Sequence, residues 1–125
     1  MGNFPPTNPD NIYSKLISGA INKNEAIAHF ISFVEKSNDP KIRIKGLEFI
    51  NKLNVNNDTF FNLLENCLIS DDNEFVRVTA AKIIALSFPK KGITPLKWAL
   101  ENETSPLVLQ TISKLFEGVD DIYFK

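Results

Sequence analysis

The sequence predicts an all-α fold assembled from helical hairpins, on three observations. Apolar residues recur at helical spacing along nearly the whole chain, with no strand-like alternation long enough to matter. Polar caps and prolines interrupt those stripes at short intervals. And the stretch "SNDPKIRIKGLEFINKL", Ser37 to Leu53, returns as "DDNEFVRVTAAKIIALS", Asp71 to Ser87.

The elements follow in order. "GNFPPTNPD" holds three prolines, each of which fixes φ and removes a donor, so residues 1–9 read as an extended segment. A first helix runs from Asp10 to about Ile21, with Ile12, Leu16 and Ile17 facing inward. Asn24 then caps a second helix whose stripe is Ile27, Phe30, Ile31 and Val34. Asp39-Pro40 is a cap followed by proline at the first helical position, where the missing N–H costs nothing, and it opens a helix through Leu53. After "NVNND", Asn57 or Asp58 caps a helix through Ile69 carrying Phe60, Leu63, Leu64, Cys67 and Leu68. "SDDN" precedes a helix from Glu74 to Phe88, stopped by Pro89. Thr94-Pro95 caps a shorter helix to Glu101, and "ETSP" caps a last one from Pro106 to about Glu117, with Gly118 as its stop. Residues 10–118 form the helical domain and 119–125 a tail.

Counting tests the repetition. A shift of 34 places Ile42 on Val76, Arg43 on Arg77, Gly46 on Ala80, Leu47 on Ala81 and Ile50 on Ile84. A further 31 places Val76 on Leu107, Ala81 on Ile112 and Ile84 on Leu115. A pair of helices with one apolar side each cannot bury itself, so such units stack. Ile50, Ile84 and Leu115 are therefore expected in the core.

"DPKIRIKGLEFI" and "NEFVRVTAAKIIAL" resemble the second helix of a HEAT repeat, with its pattern "D-P-x-V-R-x-x-A-A-x-A-L". The resemblance covers roughly Asn24 to Glu117 and departs in the third copy, where Val108 replaces the arginine. It implies a right-handed α-solenoid of about three HEAT-like hairpins plus an extra N-terminal helix. It also implies a structural ladder of Asp39, Arg43, Asp71 and Arg77, ending before the third copy. "GITPLKWALENE", Gly92 to Glu103, resembles an ankyrin turn and helix, although no earlier segment repeats it.

Composition narrows the function. Hydrophobic content of 43% and charged content of 23% are ordinary for a globular chain of 125 residues. Net charge is −1, without the basic stripe that nucleic-acid binding usually leaves. No apolar run approaches a membrane span, so a cytoplasmic protein is expected. The one cysteine, Cys67, excludes an internal disulfide and sits among core-type residues. His29 is the only histidine and has no ligand-spaced neighbours, so no metal or cofactor is expected. The acids Asp71, Asp72 and Glu74 lie where a helix N-terminus favours negative charge, which needs no catalytic role. No phosphate-binding glycine loop or nucleophile motif is present. Trp98 reads as a core edge or as an exposed binding anchor, and Lys90-Lys91 as a solvated loop.

The expected function is therefore a non-catalytic protein–protein interaction or scaffold module, not an enzyme. The alternatives are a HEAT-like enzyme or nucleic-acid binder, of bilin-lyase or DNA-glycosylase type, or an ankyrin-like interaction repeat. By the resemblance, second helices line a concave face and their outward side chains form ridges. Those ridges are Lys41, Phe75 and Pro106; Lys45, Thr79 and Gln110; and Glu48, Lys82 and Ser113. Phe75 either tucks against the preceding loop or serves as the anchor for a protein partner. Ile122, Tyr123 and Phe124 are expected to cover the C-terminal end or to join a second copy there as a homodimer.

Overall fold

The computed structural model describes residues 8–117, and among them it is all-helical, with no strand. The elements are α1 (Pro9–Ser18), α2 (Lys23–Lys36), α3 (Pro40–Lys52), α4 (Asp58–Ser70), α5 (Glu74–Ser87), α6 (Ile93–Asn102) and α7 (Pro106–Glu117). The chain divides into two compact units, one ending at Val55 and the other beginning at Asn56. The expected stop at Gly118 and the tail residues Ile122, Tyr123 and Phe124 lie outside the described residues.

In the first unit each helix begins where a side chain satisfies an orphaned backbone donor. Asn8 accepts from the Asn11 N–H at 3.0 Å. Asn22 accepts from the Glu25 N–H at 2.8 Å, while the Glu25 carboxylate accepts from the Asn22 N–H at 2.9 Å. This reciprocal box moves the start of α2 two residues ahead of the expected cap, Asn24, because only Asn22 has a glutamate three residues on. Asp39 caps α3 as expected, accepting from the Lys41 N–H at 2.9 Å. α1 ends before the expected Ile21, at Gly19, whose φ of 83° is a left-handed conformation that a Cβ disfavours.

The core of this unit holds Ile12, Ala26, Phe30, Val34, Leu47 and Ile50. α1 turns Pro9, Ile12, Tyr13 and Leu16 inward, at i, i+3, i+4 and i+7. Ile17 is rotated off that face and is exposed, contrary to expectation. α2 and α3 approach closely at Gly46, where a Cβ would stand 2.8 Å from Val34 Cγ2 and 3.1 Å from the Phe30 carbonyl oxygen. Phe49 stacks on Tyr13 at 4.6 Å and on Phe30 at 5.3 Å between ring centroids. One aromatic of α3 thus joins all three helices.

In the second unit Asn57 caps α4, accepting from the Phe60 N–H at 2.9 Å, and Asn73 caps α5, accepting from Phe75 and Val76 at 2.9 and 3.2 Å. α6 departs from expectation. Its N-cap is Gly92, without a side-chain cap, and Thr94 and Pro95 lie inside its first turn. Proline fits there because the first N–H groups of a helix have no intrahelical partner. Gly92 is needed for space: a Cβ would collide with Ile84 Cγ2 and stand 2.7 Å from the Phe88 carbonyl oxygen. The core includes Phe60, Leu64, Leu68, Val76, Ala80, Ile84, Leu96, Val108 and Ile112, and Cys67 is buried as expected. Phe88, ending α5, meets Phe60 and Phe61 edge to face.

The third copy follows a different register from the expected one. Val108 is buried, Leu107 is 36% exposed and Leu115 is only half-buried. The cap sets this register. Ser105, whose hydroxyl accepts from the Val108 N–H at 3.4 Å, stands 32 residues after Asn73, so Val76 answers to Val108 and Ala80 to Ile112.

Burial ranks the consequences of truncation. Ile84→Ala should lower the unfolding free energy by roughly 2–5 kcal/mol, because it empties a fully enclosed site. Leu115→Ala should cost less, since that side chain keeps solvent contact. Chemical denaturation of both variants checks this, and equal losses would contradict the register.

Candidate functional site

Arg77 organises the start of α5. Its Nη1 donates to the Asp71 carbonyl at 2.8 Å, and Asp71 is the C-cap of α4. Its Nε and Nη2 donate to the two carboxylate oxygens of Glu103, both at 2.9 Å, and Glu103 is the C-cap of α6. Carbonyls at a helix C-terminus lack partners and carry partial negative charge, so a cation is favoured beside them. One guanidinium therefore joins the ends of two helices to the beginning of a third.

The first unit repeats the contact with a C-cap carbonyl. Arg43 Nη1 donates at 3.0 Å to the carbonyl of Ser37, the C-cap of α2. In both cases the arginine reaches six residues back to close its own hairpin. That contact accounts for the recurrence of the apolar-arginine pair. Of the aspartates in the expected ladder, Asp39 accepts from the Lys41 N–H at 2.9 Å and Asp71 accepts from the Asn73 N–H at 3.0 Å.

Glu103, which sequence reasoning passed over, completes the network. The side chains of Arg77 and Glu103 are 15% and 7% exposed. Glu103 Oε1 also accepts from the N–H groups of Thr104 and Ser105, each at 3.1 Å, and the Ser105 hydroxyl donates to Glu74 at 2.6 Å. Burial alone would raise the Glu103 pKa, but the hydrogen bonds from Arg77, Ser105 and Thr104 and the guanidinium charge outweigh it and hold the carboxyl below its ordinary value. The signal was present in the sequence: with cap set on cap, Glu103 occupies the place of Asp71.

Phe75 stands in the first turn of α5 and is 57% exposed. It borders an open depression of about 390 Å3 lined also by Asp72, Asn73, Glu74, Arg77, Ser105 and Pro106. An aromatic wall thus meets a polar floor. On the same helix Lys82 is exposed, while Thr79 is half-buried and donates its hydroxyl to the Phe75 carbonyl at 2.9 Å. Gln110 is exposed on α7.

Lys41, Lys45 and Glu48 are exposed on α3, in the first unit. Lys45, expected to point freely outward, is engaged with α1 and its own helix. Its Nζ lies 3.8 Å from an Asp10 carboxylate oxygen and 5.4 Å from the Phe49 ring centre. Lys91, expected to be merely solvated, pairs with Asp58 and lies 4.6 Å from the Phe61 ring centre. Its hydrogen bond and charge hold the Asp58 pKa below its usual value. Trp98 is 43% exposed on α6 and borders a second depression, of about 200 Å3, with Ile69, Asn102 and Glu103. His29 is exposed. Among the described residues no group of three or more His, Cys, Asp or Glu side chains could hold a metal ion, and no helix is long and apolar enough to cross a membrane.

Comparison with protein-family models, curated proteins and solved structures finds no match to this chain.

Acid should expose the role of Glu103. Its folded pKa is depressed, so the stability it contributes is present above the ordinary carboxyl value of 4.5 and is lost as pH falls through the folded value. Denaturation profiles should show a smaller acid loss in Glu103→Gln than in wild type. At neutral pH, Arg77→Ala should cost about 3 kcal/mol, because it strands a largely buried carboxylate. Identical acid profiles, or an Arg77→Ala variant as stable as wild type, would exclude the network as a structural tie.

Proposed function

We propose that this protein is a HEAT-like α-solenoid scaffold of the cytoplasm that binds a protein partner without catalysing a reaction. Phe75 carries the proposal. A large aromatic, more than half exposed, is held in the first turn of a capped helix beside a polar depression. Protein interfaces commonly centre on an aromatic anchor ringed by polar and charged groups, and Phe75 with Glu74, Lys82 and Gln110 suits that pattern. Because the Asn73 cap fixes the backbone, docking at Phe75 requires little ordering. The repeat assignment draws support from the arginines 34 residues apart that close their hairpins in the same way. The net charge of −1 favours a protein over nucleic acid.

The test is a Phe75→Ala, Lys82→Glu double variant, with Lys45 kept because of its contact with Asp10. It should retain the wild-type melting transition and lose partners that wild type captures from the source cell, as read by mass spectrometry. An unchanged set of partners would place the binding surface elsewhere. Retention of wild type on duplex DNA at low salt would favour the nucleic-acid alternative instead.

A further inference from the structure

Resting on the reading of Phe75 as a protein-binding anchor, we propose that the two depressions of the second unit form one groove for an extended peptide, which carries a lysine or arginine close to an apolar residue. Arg77 lines both depressions, so they adjoin there. One bank is the loop 71–73 between α4 and α5, and the other is the loop 103–105 between α6 and α7. The Ser105 hydroxyl bonded to Glu74 and the Arg77–Glu103 pair tie these banks together, so the groove is built before a partner arrives. An exposed aromatic stands at each mouth. Phe75 is at one, and Trp98 is at the other with the equally exposed Ile69.

The hydrogen-bonding groups along the floor match a peptide backbone. Arginine has five N–H donors, and Arg77 spends three on Asp71 and Glu103, which leaves one on Nη1 and one on Nη2. Asn73 accepts through Oδ1 from the Phe75 and Val76 N–H groups, and its Nδ2 has no partner among the described residues. These donors suit the carbonyls of a chain lying between the banks. Charge selects the first anchor residue. Glu103 already matches the charge of Arg77, whereas Glu74 accepts only from the neutral Ser105 hydroxyl and has no ion-pair partner among the described residues. Glu74 and Phe75 line the same depression, and a cation is drawn both to a carboxylate and to the face of an aromatic ring. The chain already makes such contacts, holding Lys45, Lys52 and Lys91 over its own rings at 5.4, 4.9 and 4.6 Å. At the other mouth Trp98 and Ile69 offer apolar surface, which favours an apolar side chain there.

Selection from a library of random peptides on immobilised full-length protein tests this, followed by fluorescence anisotropy with the enriched sequences. The expected consensus places lysine or arginine within a few positions of a leucine, isoleucine or aromatic residue. Glu74→Gln keeps an acceptor for the Ser105 hydroxyl, and Trp98→Ala removes a side chain that is 43% exposed, so both variants should keep the wild-type melting transition. Each should weaken binding of the enriched peptides about tenfold. Enrichment of no peptide, or of peptides without a basic residue, would overturn the proposal, and so would wild-type affinity in either variant. If Phe75→Ala abolishes binding while Glu74→Gln and Trp98→Ala do not, the groove falls and the Phe75 anchor stands. Wild-type affinity in Phe75→Ala would instead remove the anchor, and the groove with it.

Discussion

The second unit depends on the satisfaction of helix ends by the guanidinium of Arg77. Three of its N–H groups are spent on the C-cap carbonyl of α4 and the C-cap carboxylate of α6. Those two ends belong to helices that start 35 residues apart, at Asp58 and Ile93, and hydrophobic contact alone would leave them free to slide. Directional hydrogen bonds fix what non-directional burial cannot. The Glu103 carboxylate extends the constraint to the Thr104 and Ser105 N–H groups, and the Ser105 hydroxyl carries it on to Glu74. Phe75 lies between Glu74 and Arg77, so the exposed ring projects from the most tightly specified turn of the unit.

Close packing elsewhere depends on side chains that are absent. Gly46 lets α3 approach the Phe30 carbonyl, and Gly92 lets the chain entering α6 pass Ile84. The position answering to Gly46 in the second unit is Ala80, which is fully buried. The two hairpins thus share a small residue at the same place but differ by one methyl group, a difference that packed interiors register.

Much of the helical content was legible because it is written locally. Asp39-Pro40, Asn57 and Asn73 act within four residues, and apolar stripes act within one helix. The errors arose where a choice depended on a second residue or a distant one. Asn22 and Asn24 are the same residue type, and only Glu25 decides between them. The register of the last helix followed its cap, not the spacing of its leucines. Glu103 and Arg77 are 26 residues apart, and no periodicity connects Lys45 with Asp10. The exposure of Phe75, by contrast, was legible because the repeat offset sets it on the outward ridge with Lys41, away from the apolar stripe.

The burial of Cys67 makes the protein its own reporter. It is the chain's single thiol, and it belongs to the second unit. A thiol reagent can reach it only when α4 separates from its neighbours, so the alkylation rate measures how often that unit opens. The first unit, which has no cysteine, is silent in such an experiment. Comparing the alkylation rate with a whole-molecule unfolding signal would therefore reveal whether the two units open together or independently.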